Sequence, residues 1–298
     1  MSLHVVLAGS SGFLGTHLRE ELEGGGHRVT ALVRRPAEGP DESTWDPGAG
    51  KVDRELVASA DVVVNLAGSP TVGNPHSRKW STELHDSRVG TTKVLADAIA
   101  AAPHPPYFVA GNAVAWYGDH GAAELTEAAD SRGHSLMTNV CRDWQAAARP
   151  AVDAGGRVVF LRTTPVMHRS SAPLQQLRLL FKAGLGGRVG NGRQHMPMIS
   201  LRDWVAATSY LIEHPTADGP FNLCCETTPT NAEFTKALAE RVHRPAFARV
   251  PGPALKLAAG RLAPEVLGST NVRPQALLDL RYEFADPDVD SVLASGLS

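Results

Sequence analysis

Cysteine is scarce in this chain: Cys141 and the adjacent Cys224 and Cys225 are the only 3 among 298 residues. So few cysteines build no disulfide framework, and neither their spacing nor that of the histidines suggests a metal site. A cytoplasmic location is the resulting expectation. Excess charge of one sign is also lacking. A formal net charge of -2 leaves no electrostatic footprint for nucleic acid or an anionic membrane. No apolar run approaches the roughly 18 residues that span a bilayer, and no basic, apolar, small-residue sequence of a secretory signal opens the chain. Internal repeats and low-complexity tracts are missing too. The remaining composition, 43% hydrophobic and 20% charged, is that of an ordinary globular protein with a sizeable core.

The first half alternates strand-like and helix-like stretches. LHVVLA (residues 3–8), RVTALV (28–33), DVVVNL (61–66), PYFVAGNAV (106–114) and RVVFLRT (157–163) read as strands. Helices are expected at 16–22, from about 87 to 101, and at 139–148. That alternation predicts an α/β fold, a Rossmann-type doubly wound parallel sheet with helices on both faces. After Pro165 the pattern turns mainly helical. The expected division is therefore a dinucleotide-binding domain over 1–165, completed by a later strand near 219–225, and a smaller, mainly helical substrate lobe over 166–298.

GSSGFLG places glycines at 9, 12 and 15, between a strand and a helix. This spacing differs by one residue from the dinucleotide fingerprint, but the physics is shared: a tight turn, backbone approach to pyrophosphate, and close packing of helix on strand. The helix N-terminus offers N–H groups and a positive dipole end to phosphates. Gly9, Ser10, Ser11, Gly12, Phe13, Leu14 and Gly15 are thus candidate cofactor residues. An NAD site carries Asp or Glu about 20 residues further on, for the ribose 2′-hydroxyl. Here Arg34 and Arg35 end the second strand. Two guanidinium groups suit a 2′-phosphate, so NADP(H) is favoured over NAD(H).

Together with NLAG (65–68), SRVGTT (87–92), WYGDHG (116–121), VCRDW (140–144), LRTTPV (161–166), GNGRQHM (190–196) and TNAEFTKAL (230–238), the loop resembles the extended or atypical short-chain dehydrogenase/reductase superfamily. More narrowly, it is similar to bacterial NAD-dependent epimerase/dehydratase-type proteins with an added C-terminal helical segment. The resemblance spans nearly the whole chain. It implies that Leu66, Ala67 and Gly68 lie along the adenosine and ribose side of the cofactor and that Arg88 points toward the cleft. It also implies that Val109 and the Thr164-Pro165 turn flank the nicotinamide. NLAG as a plain strand end and Arg88 as a surface cation are the alternatives. A helical interface is usual in the superfamily and leaves homo-oligomerisation open.

The catalytic set departs from the pattern. Superfamily members use Ser or Thr beside Tyr-x-x-x-Lys, in which lysine lowers the tyrosine pKa and tyrosine moves the substrate proton. None of the 4 tyrosines has Lys four residues on. In SLMTNVCRDW, Met137 and Cys141, or Leu136 and Val140 in a neighbouring register, replace the pair, and Asn112 stands at the serine position. Tyr117 is the first substitute acid, with Asn112 as a carbonyl-polarising donor. The alternative for Tyr117 is packing in an aromatic turn. Cys141 facing the cleft, or the Asp119 and His120 pair, are weaker candidates. Arg188, Arg193 and His195, in GLGGRVGNGRQHMPM, are candidate substrate-anion ligands, or else solvated residues of a connector. The expected activity is hydride transfer to or from a small carbonyl or enone. Epimerisation or dehydration of a nucleotide-linked sugar, and a non-catalytic NADP(H) sensor or scaffold, stay open.

Overall fold

The computed structural model describes residues 2–246, 248–250 and 252–298. The early strands are β1 (His4–Ala8), β2 (Arg28–Val33), β3 (Glu42–Thr44), β4 (Val62–Asn65) and β5 (Tyr107–Ala113). With the Val158–Thr163 and Gly219–Leu223 strands they form one parallel sheet of 7 strands. Its order is Gly219–Leu223, Val158–Thr163, β5, β4, β1, β2, β3. The chain runs outward from β1 to β3 and then returns to lay β4 on the other side of β1. That reversal opens a crevice at the carboxyl ends of β1 and β4, where doubly wound sheets bind ligands.

Both sheet faces are covered, which is why the strands are runs of Val, Leu and Ala rather than alternating apolar and polar residues. In β1, successive side chains point to opposite faces. Val5 and Leu7 join one core with Leu18 and Leu22 of α1 (Phe13–Gly24) and with Trp204 and Leu211 of the Leu201–Glu213 helix. Val6 and Ala8 join the other core, with Val57 of α2 (Arg54–Ser59) and Leu95 and Ile99 of α3 (Arg78–Ala100). Because its apolar stripe lies in the sheet core, the Leu201–Glu213 helix packs with the sheet and not in a separate lobe.

Two elements differ from expectation. α3 begins at Arg78 rather than near Ser87, because the Ser77 side chain accepts the N–H of Trp80 and caps the helix. α4 (Leu136–Ala146) likewise starts three residues early, capped by Ser135 on the N–H of Thr138.

The C-terminal region is mainly short helices, including Gly252–Ala259, Ala263–Leu267, Gln275–Asp279 and Val289–Leu297. A buried and a half-buried carboxylate fasten it to the sheet domain. Asp203 accepts the N–H groups of Ala285 (2.9 Å) and Asp286 (2.7 Å), and Glu127 accepts those of Asn222 (2.9 Å) and Ala276 (3.1 Å). Among the described residues no helix is long and apolar enough to cross a membrane, and no three His, Cys, Asp or Glu side chains gather as metal ligands.

Candidate cofactor cleft and reaction site

A cleft of about 1170 Å³ lies over the switch point, somewhat larger than the usual range of about 300–1,000 Å³ for ligand pockets. Gly9, Ser10, Ser11 and Gly12 form its floor, Leu66 to Pro70 one wall, and Arg34, Arg35, Glu42 and Trp45 the rim. Gly9 has φ +87°, and a Cβ there would stand 2.6 Å from the backbone of Leu66, so only glycine joins the β1 turn to the β4 end. The first turn of α1 has no side-chain cap and no acidic residue, leaving its orphan N–H groups facing the cleft. A dipole end with unspent donors beside bare backbone fits a pyrophosphate. Phe13 and Leu14 contribute backbone only, because their side chains pack against the core.

The two rim arginines have different surroundings. The Arg35 guanidinium is forked on the Glu42 carboxylate, at 2.8 and 2.7 Å. This hydrogen-bonded pairing pulls Glu42 down to a pKa of about 2. Arg34 is exposed at the rim, and its side chain has no hydrogen-bond or ion-pair partner among the described residues. It is the guanidinium left available to an anion.

Asn65, which ends β4, was not singled out from sequence. Its amide donates to Thr92 (2.8 Å) and Thr91 (3.3 Å) of α3 and accepts the N–H of Ala67 (3.1 Å), so it sets the path of Leu66 to Gly68 along the cleft. The signal was an Asn ending an otherwise apolar strand, where a buried amide needs partners.

Several expected site residues lie elsewhere. Val109 is 0% exposed in the sheet core and reaches no cleft. Thr164 is buried, with its hydroxyl donated to the Leu223 carbonyl at 2.7 Å, so it ties two strand ends together. Pro165 is exposed, and its carbonyl accepts the Ile199 N–H at 3.3 Å. Arg188 sits in a short strand paired with residues 248–250, and Arg193 is exposed on the following loop. His195 is held by Ser269, its backbone N–H lying 3.0 Å from the hydroxyl.

Tyr117 is corrected from candidate acid to structural residue. It is 0% exposed, and its hydroxyl donates to Asn222 Oδ1 (2.8 Å) and accepts from Arg162 Nη1 (2.8 Å). Burial pushes its pKa up to about 12. Tyr117→Phe is expected to lower the unfolding free energy by about 1–3 kcal/mol, by stripping buried Arg162 of its shortest hydrogen-bond acceptor, with cofactor affinity unchanged. Denaturant unfolding beside a cofactor titration checks both halves. Asn112 is also committed: its Nδ2 donates to the Cys141 carbonyl (3.1 Å) and its Oδ1 accepts the Ala113 N–H (2.7 Å), fastening α4 to β5.

α4 therefore presents no acid–base pair. Met137, Cys141 and Leu84 form a buried apolar cluster with Trp80, Ala113, Ala115, Trp116 and Leu262 around them. Cys141 is fully enclosed, and burial pushes its thiol up to about 12. The C-terminal region closes on this cluster: Glu265 Oε1 accepts from Ser135 Oγ (2.6 Å) and the Met137 N–H (3.1 Å), and Arg261 donates to Ser81 Oγ (3.2 Å).

Comparison with known proteins places these features in context. Residues 5–224 match the NAD dependent epimerase/dehydratase family, and residues 250–295 match a domain of unknown function, DUF1731. An epimerase family protein of Mycobacterium bovis is 37% identical over 285 residues, 94% of this chain and 93% of the relative. The crystal structure of human epimerase family protein SDR39U1 (isoform 2) with NADPH superposes with a TM-score of 0.86 at 31% identity, covering 99% of each chain. The nucleoside-diphosphate sugar epimerase from Corynebacterium glutamicum gives 0.82 at 32% identity, covering all of this chain and 58% of that one.

Proposed function

From its membership of the NAD dependent epimerase/dehydratase family, to which the chain belongs, we propose that it is an NADP(H)-dependent oxidoreductase of the short-chain dehydrogenase/reductase type. Its substrate in this reading is a small carbonyl or enone compound, handled in the cytoplasm without the superfamily's tyrosine and lysine. The observation that carries the cofactor assignment is Arg34, a rim guanidinium without a carboxylate partner among the described residues, beside an Arg35 that is already paired with Glu42 and Glu38. The NADPH held by the human SDR39U1 structure supports the same choice.

Gly9 to Gly12 and the α1 N-terminus would hold the pyrophosphate, Leu66 to Gly68 the ribose side, and Arg34 the 2′-phosphate. When bound, the nicotinamide supplies or takes up hydride. The chain's own part is to fix that group, exclude water through the apolar cluster on α4, and hold the substrate oxygen. The enclosure of Tyr117 and the apolar character of positions 113, 137 and 141 favour a second reading, an NADP(H) sensor that performs no chemistry.

Fluorescence titration with NADPH and NADH separates cofactor preference from activity. A panel of carbonyls, enones and nucleotide sugars, followed at the reduced-nicotinamide absorbance, then tests the reaction. NADPH binding with consumption under a carbonyl compound is the expected result. Preference for NADH overturns the cofactor assignment. NADPH binding without consumption, and without product from nucleotide sugars, selects the sensor.

A further inference from the structure

Arg88 is an anomaly of burial. It is 8% exposed, on α3 between the cleft-lining residues Ser87 and Gly90, and it has no carboxylate within ion-pairing distance among the described residues. Its one hydrogen bond runs from Nη1 to the Leu84 carbonyl, at 3.1 Å. Nε and Nη2 have no partner there, yet neither is among the fully enclosed unpartnered atoms, so both keep contact with open space. Burial lowers the pKa of this guanidinium, the sign of a charge deprived of water and of a counter-ion. A buried cation without a partner carries a penalty of several kcal/mol, and a protein keeps such a group where a ligand supplies the missing charge.

The position says which part of a ligand that is. The guanidinium carbon packs against Gly68, where a Cβ would lie 3.3 Å from it, and Gly68 is cleft wall. On its other side it lies 5.3 Å from the Trp144 ring centroid, on α4. The Cys141 thiol, also on α4, is near enough to feel its charge. Arg88 thus stands between the cofactor cleft and the helix whose facing positions are Met137 and Cys141, neither of which can hold an anionic oxygen. The cation that positions 137 and 141 of α4 lack comes from α3.

We propose that Arg88 is the anion-binding residue of the reaction end of the cleft and that it selects carbonyl substrates bearing a carboxylate. This rests on the oxidoreductase reading above and names its substrate class. A planar guanidinium with two open donors suits a carboxylate, and fixed by Gly68 and Trp144 it needs little reorganisation to bind one.

The test uses the full chain saturated with NADPH, titrated by calorimetry with acetate, benzoate and oxamate. Saturable binding of at least one carboxylate is expected. Arg88→Met should weaken it by at least about tenfold, and Arg88→Lys by less, because a point charge remains. NADPH affinity should change less than about threefold in both variants, and Arg88→Met should keep or raise the melting temperature, because an apolar side chain replaces an unpaired charge. Carboxylate binding unchanged in Arg88→Met overturns the proposal, as does its absence from wild type, or a fall in NADPH affinity that matches the loss of carboxylate. If Arg88→Met does not fold, wild-type carboxylate affinity in Arg88→Lys also counts against it. Failure of wild type to bind NADPH at all would instead sink the cofactor reading, a different outcome in the same experiment.

Discussion

Replacing Arg34 with alanine is expected to raise the NADPH dissociation constant by about 10- to 100-fold and to change that of NADH by less than about twofold. The magnitude follows from one or two charge-assisted hydrogen bonds to a 2′-phosphate, each contributing about 1.5–3 kcal/mol before solvent screening at an exposed rim. Arg35→Ala should do less to affinity, because its two terminal nitrogens already serve the Glu42 carboxylate at 2.7 and 2.8 Å. Its loss instead frees a carboxylate at the rim, which repels phosphate and suits a ribose hydroxyl, so the selectivity ratio should still fall. Raising ionic strength should shrink the wild-type preference for NADPH and leave NADH binding nearly flat. Equal losses for both dinucleotides in Arg34→Ala would return Arg34 to the role of a solvated rim residue.

What could be read from sequence was what local backbone geometry dictates. Gly9, Gly12 and Gly15 announce a cradle because turn, approach and packing are settled within seven residues. The apolar strands announce a sheet covered on both faces. The division of labour between Arg34 and Arg35 was not readable, because it depends on the parallel register that sets Ala31 of β2 opposite Glu42 of β3. Tyr117 misled for a similar reason: its partners Arg162 and Asn222 lie 45 and 105 residues away, and only the folded sheet brings them to its hydroxyl. Val109 and Thr164 were placed by a resemblance that gives position along a strand but not which face the side chain takes. The early start of α3 was missed because its first turns are largely polar, with only Trp80 and Leu84 apolar there, so periodicity is weak and the Ser77 cap carries the signal.

The same distance problem hid the closure of the reaction end. Glu265 reaches Ser135 across 130 residues, and the tie packs the C-terminal region onto the N-terminus of α4. Positions 137 and 141, where the resemblance implies tyrosine and lysine, are Met and Cys in one apolar cluster with Ala113, and Asn112 at the serine position is committed to the Cys141 carbonyl. A site of this kind can exclude water and position a substrate, but its charge must arrive from other elements. Arg88 is the buried group placed to bring it.

Gly15→Ala should have a large effect for a single added methyl. A Cβ there would lie 2.1 Å from the Gly9 carbonyl oxygen, 2.8 Å from its carbon and 3.0 Å from Ser10 Cα. All three are backbone atoms, and the Gly9 carbonyl is already fixed by accepting the Gly12 N–H at 3.0 Å, so no side chain can swing aside. α1 must then lift from the turn, pulling Leu18 and Leu22, both 0% exposed, away from β1. A loss of about 3–5 kcal/mol of stability is expected, with a fall in NADPH affinity of at least about 100-fold as the helix N–H groups leave the phosphate position. Gly12→Ala separates the two effects. Its Cβ meets only the Gly9 oxygen, at 3.3 Å, so stability should drop by less than about 1 kcal/mol while the methyl occupies the space a phosphate would take. Denaturant unfolding and NADPH titration of both variants distinguish packing from ligand approach. If Gly15→Ala unfolds like wild type, close helix–strand contact is not what this glycine provides; if Gly12→Ala binds NADPH normally, the cofactor does not pass over the loop.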